Sequence, residues 1–196
     1  MFRPFPISFL QFGLFWIIAL VGAIALIRAF AANREKAEAA KKSGVATLGI
    51  ALQGVAFGAV GFGPVRIAIP WSAPSSILSC ALVAATGVSA VWIFIAATRA
   101  MGKNWSVVAR TRSDHQLVRT GPFAVVRHPI YLALFLYMLS FGIAFGHFVQ
   151  FIISVPLYIV GAAIRVREEE KLLRAQFGEE HAHYVREVPA FFPLIR

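Results

Sequence analysis

Long apolar runs separated by short polar stretches dominate the chain from residue 7 to residue 164. The runs cover residues 7–30, 44–63, 75–98, 129–146 and 148–164. At a rise of ~1.5 Å per residue, an apolar helix of about 20 residues crosses the ~30 Å hydrocarbon core of a bilayer. The pattern therefore predicts an all-α integral membrane protein with five transmembrane helices.

The last two runs are predicted to form a helical hairpin. The sequence Phe145-Gly146-His147-Phe148 between them is typical of a turn, and Pro129 is favoured at the first position of a helix. Pro156 inside the second arm predicts a kink. From Arg165 onward the helical pattern becomes polar, and Phe177-Gly178 is expected to end or bend it. The hairpin would bring residues 127–131 and 165–170 to the same membrane surface.

The chain divides into two predicted parts. Residues 1–98 form a three-helix membrane platform. Residues 99–196 form a catalytic region, made of a basic connector, the hairpin 129–164, and a C-terminal helix and tail. The run 44–63 is rich in Gly and Ala, so it is expected to pack closely inside the bundle. Residues 64–74 are predicted to be a turn that carries Trp71 as an interfacial anchor.

Composition and charge support a membrane location. The chain is 59% hydrophobic and 14% charged, whereas soluble domains carry about a quarter charged residues. The basic residues behind the net charge of +10 flank the apolar runs, so we expect contacts with anionic lipid head groups and not with nucleic acid. Ala29-Phe30-Ala31 resembles a signal cleavage site, but the apolar run before it is too long for a signal peptide.

The same basic residues predict the orientation in an inner or plasma membrane. With five spans, 17 of the 19 Lys and Arg residues fall on the side of the connector and the C-terminal tail. Basic residues concentrate on the cytosolic side of membrane proteins. The N-terminus is therefore predicted outside, and the C-terminus and the active site in the cytosol.

Two charged clusters flank the hairpin. In the first, Arg127-His128-Pro129-Ile130-Tyr131, the guanidinium fork can hold a carboxylate with two hydrogen bonds. The alternative is that Arg127 touches lipid phosphate and His128 only caps a helix. In the second, Arg165 and Glu169 share one helical face. The alternative there is a surface ion pair, and Glu168, about 100° away, is expected to face solvent.

Metal and nucleotide motifs are missing from the sequence. The five histidines have no ligand-like spacing with cysteines or carboxylates, so no metal site is predicted. The sequence contains no Walker loop and no dinucleotide-binding glycine motif.

A series of short motifs follows between residues 99 and 193. In order they are Gly102-Lys103-Asn104-Trp105-Ser106, Leu117-Val118-Arg119-Thr120-Gly121-Pro122-Phe123, Arg127-His128-Pro129-Ile130-Tyr131, Arg165, Glu169-Glu170, Phe177-Gly178-Glu179-Glu180, Tyr184 and Val188-Pro189. This series resembles the isoprenylcysteine carboxyl methyltransferase family in its short prokaryotic form, within the wider phospholipid-methyltransferase-like group.

The resemblance implies S-adenosylmethionine as cofactor, bound at the cytosolic end of the hairpin. The positions that match cofactor-binding residues are His115, Gln116, Leu117, Val118, Phe123, His128, Pro129, Ile130, Tyr131 and Glu169. Phe123 stands where the family usually has Tyr, and His181 replaces another Tyr in a region expected to be structural. Arg127 and Arg165 match arginines that face the methyl acceptor. The implied acceptor is a lipid or prenylated molecule with a carboxylate.

Three alternatives to carboxyl O-methylation remain open. Methylation of a phospholipid amine would need a base, for which His128 and Tyr131 are the candidates. A sterol-reductase-like enzyme carries a similar Arg-His-Pro motif and would bind NADPH. A non-enzymatic membrane protein could keep a relic of the site.

Overall fold

The structure, a computed structural model, describes residues 4–32, 44–102 and 117–191. In these residues the chain forms five α-helices: α1 (Phe9–Ala32), α2 (Gly44–Gly61), α3 (Pro74–Met101), α4 (Pro129–Phe145) and α5 (Phe151–Glu187). A short 3₁₀ turn, Gly121–Ala124, precedes α4. The only β-type pairing in the described residues is an isolated bridge between Ile7 and Ile67. The all-α prediction is confirmed.

Three of the helices are long and apolar enough to cross a membrane. These are α1, α2 and α3, and their outward faces carry large apolar side chains such as Trp16, Phe9 and Trp92. Helix α4 is apolar but has 17 residues, and α5 is apolar only in its first part. The protein is thus a helical membrane protein, in which α4 and the apolar first part of α5 are shorter than α1, α2 and α3.

The turn of the hairpin is longer than predicted. Helix α4 ends at Phe145, and Gly146 has left-handed backbone angles (φ 70°, ψ 24°). Helix α5 begins at Phe151, three residues later than expected. The intervening residues pack against the N-terminal segment, where the Phe5 amide donates to the Gly146 carbonyl (3.0 Å). His147 is fully buried there, with its ring nitrogens 2.8 Å from Val60 O and 3.1 Å from Pro64 O.

Helix α5 joins the second hairpin arm and the polar helix in one element. Its backbone leaves helical geometry at Gly178 (φ 49°, ψ −118°), which confirms the predicted bend. Pro156 lies within helical backbone, and the kink expected there stays a prediction. Because the helix is continuous from Phe151 to Gly178, the position of Arg165 and Glu169 is fixed by the packing of the apolar arm below them.

Helix α2 packs closely against α5, as its small residues predicted. A Cβ atom added to Gly49 would lie 2.8 Å from the carbonyl oxygen of Gly161 and 2.6 Å from the Cγ of Arg165. A Cβ atom on Gly161 would in turn lie 2.8 Å from Gly49 O. Only glycine at both positions allows the two backbones to approach in this way. The contact holds the stem of Arg165 against the platform.

We predict that Gly49→Ala destabilises the protein. The added methyl group forces α2 away from α5, and such overpacking costs about 1–3 kcal/mol. The thermal unfolding midpoint of the purified protein in detergent should fall. Gly54→Ala, in the same helix, is the control, since nothing lies within 4 Å of a Cβ atom there. Equal midpoints for the two variants would contradict the close α2–α5 contact.

Candidate functional site

The site lies where α4 begins and the apolar part of α5 ends. Pro129 occupies the first turn of α4 and is buried. Before it, the chain turns through Gly121 (φ 61°) and the 3₁₀ segment, where Phe123 is buried. The carbonyl of Phe123 accepts a hydrogen bond from the Tyr184 hydroxyl (2.6 Å). Burial raises the pKa of Tyr184 to about 12, so this hydroxyl remains a donor at neutral pH.

Tyr131, Arg165 and Glu169 form the part of the site closest to the membrane. The Arg165 Nε donates to the Tyr131 hydroxyl (2.6 Å), and its Nη2 donates to Glu169 Oε1 (3.3 Å). The Tyr131 hydroxyl donates to the same carboxylate oxygen. Arg165 is 8% exposed, whereas the Glu169 side chain keeps 24% of its surface. A buried arginine and tyrosine therefore hold a carboxylate that remains partly open.

His128 connects Glu169 with Glu170. Its Nε2 donates to Glu170 Oε1 (2.8 Å), and its Nδ1 lies 3.7 Å from Glu169 Oε2. Arg127 Nε donates to the same Glu170 oxygen (2.9 Å). The second Glu170 oxygen lies 3.2 Å from the Nε2 atom of His181, which is buried. Glu170 thus contacts one guanidinium group and two imidazole rings.

The chain after α5 runs back across this cluster. The backbone amides of Arg127 and His128 donate to Pro189 O (2.9 Å) and Ala190 O (3.1 Å). Arg127 Nη1 also donates to the carbonyl of Val188. The residues before α4 and the residues after α5 are therefore paired directly.

The electrostatics of the cluster favour charged groups. Burial tends to lower the pKa of His128, but its hydrogen bonds with Glu169 and Glu170 and their charges raise it above 6.5. Burial tends to raise the pKa of Glu170, but the hydrogen bonds from His128 and Arg127 lower it to about 2. The pKa of Glu169 is also lowered, because hydrogen bonding and charge from His128 outweigh burial. At neutral pH both carboxylates are ionised.

The other predicted cofactor residues divide into two groups. Leu117, Val118 and Ile130 are half-buried in the described part of the chain. His115 and Gln116 lie outside the described residues. The roles assigned to all of these residues remain predictions.

Arg127 has different partners from those expected. Its Nε and Nη1 donate to Glu170 and to the carbonyl of Val188, so these donors hold protein groups together. Arg165 is buried and also donates to protein groups, the Tyr131 hydroxyl and Glu169. The acceptor-binding role of both arginines stays a prediction.

Sequence reasoning missed Glu170 and misjudged Glu168. Glu170 was noted only as a neighbour of Glu169, although it contacts more of the cluster. The signal for Glu170 was the run of three consecutive glutamates, Glu168 to Glu170. One face of a helix cannot hold all three side chains, so at least one of them had to find partners on a different face. The Glu168 side chain is 19% exposed and pairs with Lys171 (2.7 Å), so the expectation that it faces solvent is wrong.

The fold and the site define a helical membrane protein with a largely buried, charged cluster where α4 begins and the apolar part of α5 ends. Residues 81–175 match the model of the isoprenylcysteine carboxyl methyltransferase (ICMT) family. The matched residues include α4, Arg127, Arg165 and both glutamates. Over these residues the chain is similar to the ICMT family, and the resemblance predicted from the sequence is confirmed.

Curated relatives agree with this match. Over 89 residues the chain is 33% identical to a protein-S-isoprenylcysteine O-methyltransferase of Schizosaccharomyces pombe, covering 45% of this chain and 38% of that protein. The corresponding enzyme of Saccharomyces cerevisiae is 30% identical over 96 residues, covering 48% of this chain and 40% of that protein. The cobalt-zinc-cadmium resistance protein CzcN of Cupriavidus metallidurans is 30% identical over 97 residues, covering 48% and 44%. The matched part thus spans less than half the length of these relatives.

We predict that the stability contributed by the cluster depends on His128. Because its pKa in the folded protein is raised, this contribution is complete below pH 6.5 and is lost as pH rises through the raised pKa. The thermal unfolding midpoint in detergent should fall between pH 6 and pH 9, and fall less in His128→Gln. His183→Gln, which alters an exposed histidine paired with Glu187, should keep the wild-type profile. Parallel profiles for wild type and His128→Gln would contradict the charged pairing.

Proposed function

We propose that the protein transfers a methyl group from S-adenosylmethionine to the carboxylate of a lipid-anchored acceptor at the membrane surface. The observation that carries this proposal is the partly open, ionised Glu169, held by the buried Arg165 and Tyr131 at the end of the apolar helices. The ICMT family match and the similarity to two protein-S-isoprenylcysteine O-methyltransferases support an isoprenylcysteine-type acceptor.

The residues present fit such a cofactor. Glu169 is ionised and partly exposed, so it can accept hydrogen bonds from an ammonium group. The rings of His128 and Phe191, 5.9 Å apart, form an aromatic wall beside it. When bound, S-adenosylmethionine supplies an electrophilic methyl group on a sulfonium centre. Glu169, His128, Pro129, Ile130 and Tyr131 are the described residues that we assign to holding it.

The task of the protein is then to hold and orient the acceptor. A carboxylate is already ionised at pH 7, so it can attack without a general base. Orientation of the two reacting groups supplies much of the rate of such a transfer. We assign the orientation of the acceptor to Arg165, whose charge favours a carboxylate over an amine. Burial of the site behind apolar helices limits competition from water.

An amine acceptor has less support. Its nitrogen must lose a proton, which requires a neutral base near the acceptor. His128 has a raised pKa and donates to Glu170, while the Tyr131 hydroxyl donates to Glu169. Both groups thus donate hydrogen bonds to carboxylates, which opposes their use as proton acceptors. This favours carboxylate methylation over methylation of a phospholipid amine.

A metal-linked function, suggested by the similarity to the resistance protein CzcN, also has less support. In the described residues, no group of three His, Cys, Asp or Glu side chains could hold a metal ion. The nearest arrangement is that of His128, Glu170 and His181. There, Arg127 donates to the same Glu170 oxygen as His128, and its positive charge opposes a cation.

An apolar cleft offers a place for the lipid chain of the acceptor. It has a volume of about 260 Å³ and lies between α1, α3 and α4. Its lining includes Gly22, Ala23, Ala90, Phe94, Leu134 and Tyr137. Leu134 also packs against the core cluster that contains Tyr131, one helical turn away. We assign this cleft to the isoprenoid or acyl chain of the acceptor.

We place the active site on the cytosolic side of an inner or plasma membrane. Five spans, with α4 and the first part of α5 completing the bundle, would put the N-terminus outside. The asymmetry of 17 basic residues against two supports this orientation. Residues 99–196 would then form the catalytic region on a platform made by residues 1–98.

We predict that Glu169→Gln weakens S-adenosylmethionine binding. A hydrogen bond to a charged group contributes roughly 1.5–3 kcal/mol, so the dissociation constant should rise by about 10- to 100-fold. Calorimetric titration of the purified protein measures this change. Glu168→Gln is a matched control, because the neighbouring carboxylate has similar exposure and pairs with Lys171. Equal losses in the two variants would mean that only general negative charge matters.

We predict that the product is a base-labile methyl ester. The protein is given methyl-labelled S-adenosylmethionine and N-acetyl-S-farnesylcysteine, and the product is then treated with base. A methyl ester releases volatile labelled methanol, whereas a methylated amine keeps its label. Arg165→Ala should lower turnover about 100-fold through lost orientation, and Arg165→Lys should restore part of it.

Two results would count against this assignment. Label that stays with the lipid fraction of a membrane extract after base treatment would favour amine methylation. Binding of NADPH, without binding of S-adenosylmethionine, would favour a reductase.

A further inference from the structure

Glu170 lies at the junction of three segments of the chain. It belongs to α5, accepts from Arg127 and His128 at the start of α4, and contacts His181 beyond the bend at Gly178. We call residues 179–191 the C-terminal segment. Glu170 is therefore the one carboxylate, among the described residues, that contacts both the Arg127-His128 pair and the C-terminal segment.

The contacts of Arg127 extend this junction along the C-terminal segment. Its Nη1 donates to Val188 O and to Val185 O (3.3 Å), while Nε remains on Glu170. Its backbone amide donates to Pro189 O, and the next amide, of His128, donates to Ala190 O. If Glu170 loses its charge, Arg127 loses the partner that fixes its guanidinium plane. The hydrogen bonds from the amides of Arg127 and His128 to the C-terminal segment are then no longer supported by the Arg127 side chain.

The same carboxylate sets the orientation of His128. The ring is 5% exposed and has two acidic neighbours, one at each nitrogen. Its short contact is with Glu170 (2.8 Å), and its longer contact is with Glu169 (3.7 Å). Glu170 therefore determines which ring nitrogen faces Glu169. Glu169 in turn is the group to which we assign the cofactor ammonium.

His181 completes the surroundings of Glu170. It is 1% exposed, and its ring nitrogens make no directed hydrogen bond within the described chain, although Nε2 lies 3.2 Å from Glu170 Oε2. Burial lowers the pKa of His181; Glu170 opposes this shift, while Arg127, Arg174 and His128 add to it. The lowered pKa disfavours a further positive charge in the cluster, in which Glu169 and Glu170 already face Arg127, Arg165 and His128.

We propose that Glu170 is a positioning residue for methyl transfer. Its carboxylate fastens the C-terminal segment across Arg127 and His128 and thereby orients His128 beside Glu169. This inference rests on the proposed function, but its structural part can be tested without any methyl transfer. The role differs from that of a simple surface ion pair, because it couples the docking of a backbone segment to the geometry of the site.

Amide hydrogen exchange tests the docking. The amides of Arg127 and His128 donate to the C-terminal segment, so their exchange rates report directly on its contact. In the full chain purified in detergent, Glu170→Gln should accelerate exchange of these two amides by about 10- to 100-fold. Glu179→Gln, the same change at an exposed position of the same helix, should leave their exchange unchanged. Equal exchange in the two variants would overturn the proposal.

Turnover separates a positioning role from a purely structural one. At saturating S-adenosylmethionine and N-acetyl-S-farnesylcysteine, Glu170→Gln should lower turnover at least about 10-fold, because the ring of His128 is no longer held beside Glu169. If Glu170→Gln accelerates amide exchange but keeps wild-type turnover, Glu170 has only a structural role and the positioning role is overturned. If the wild type itself neither binds the cofactor nor turns over, the proposed function fails, while the exchange result still decides the docking.

A second variant covers the case in which Glu170→Gln does not fold. Glu170→Asp keeps the charge but withdraws it by one methylene group. Exchange of the Arg127 and His128 amides should rise by an intermediate factor, and turnover should fall by less than in the glutamine variant. Wild-type values for both quantities would overturn the proposal.

Discussion

Two adjacent carboxylates at the edge of an apolar bundle require positive charge, and that requirement organises the site. Removing an ionised carboxylate from water is costly unless donors compensate for the lost hydration. Glu169 accepts hydrogen bonds from Arg165 and Tyr131 and lies near the more distant His128. Glu170 accepts hydrogen bonds from Arg127 and His128. His128 contacts both glutamates, while the described hydrogen bonds of Tyr131 and Arg165 to a carboxylate go to Glu169 and that of Arg127 goes to Glu170.

This division gives neighbouring residues different tasks. The two carboxylates keep similar fractions of their side-chain surface, 24% for Glu169 and 21% for Glu170, and differ in their partners. Glu169 is held by Arg165 and Tyr131, whereas Glu170 is held by Arg127 and lies beside His181. Since successive residues of a helix point about 100° apart, adjacent positions in α5 can face a ligand and a structural partner without conflict.

Local rules predicted much of the fold. Proline at the first helical position located the start of α4, glycine located the end of α4, and Gly178 located the bend in α5. The start of α5 was missed by three residues, because contacts with the N-terminal segment, such as Phe5 with Gly146, determine it. The predicted hairpin did bring residues 127–131 to residues 165–170, and Arg127 contacts Glu170 there, 43 residues away in sequence. The second partner of Arg127, Val188, was missed, because it lies 61 residues away and no spacing rule links the two residues.

The glycine contact between α2 and α5 has a consequence for dividing the chain. The stem of Arg165 rests on Gly49, yet Gly49 lies outside residues 81–175, the part that resembles the methyltransferase family. A chimera that transplants residues 99–196 onto another set of membrane helices would keep every charged residue of the site. It would lose the flat surface behind Arg165 unless the new helix also offered a glycine there. The part of the chain needed for the site therefore includes Gly49 in α2, which has no side chain, as well as the charged residues themselves.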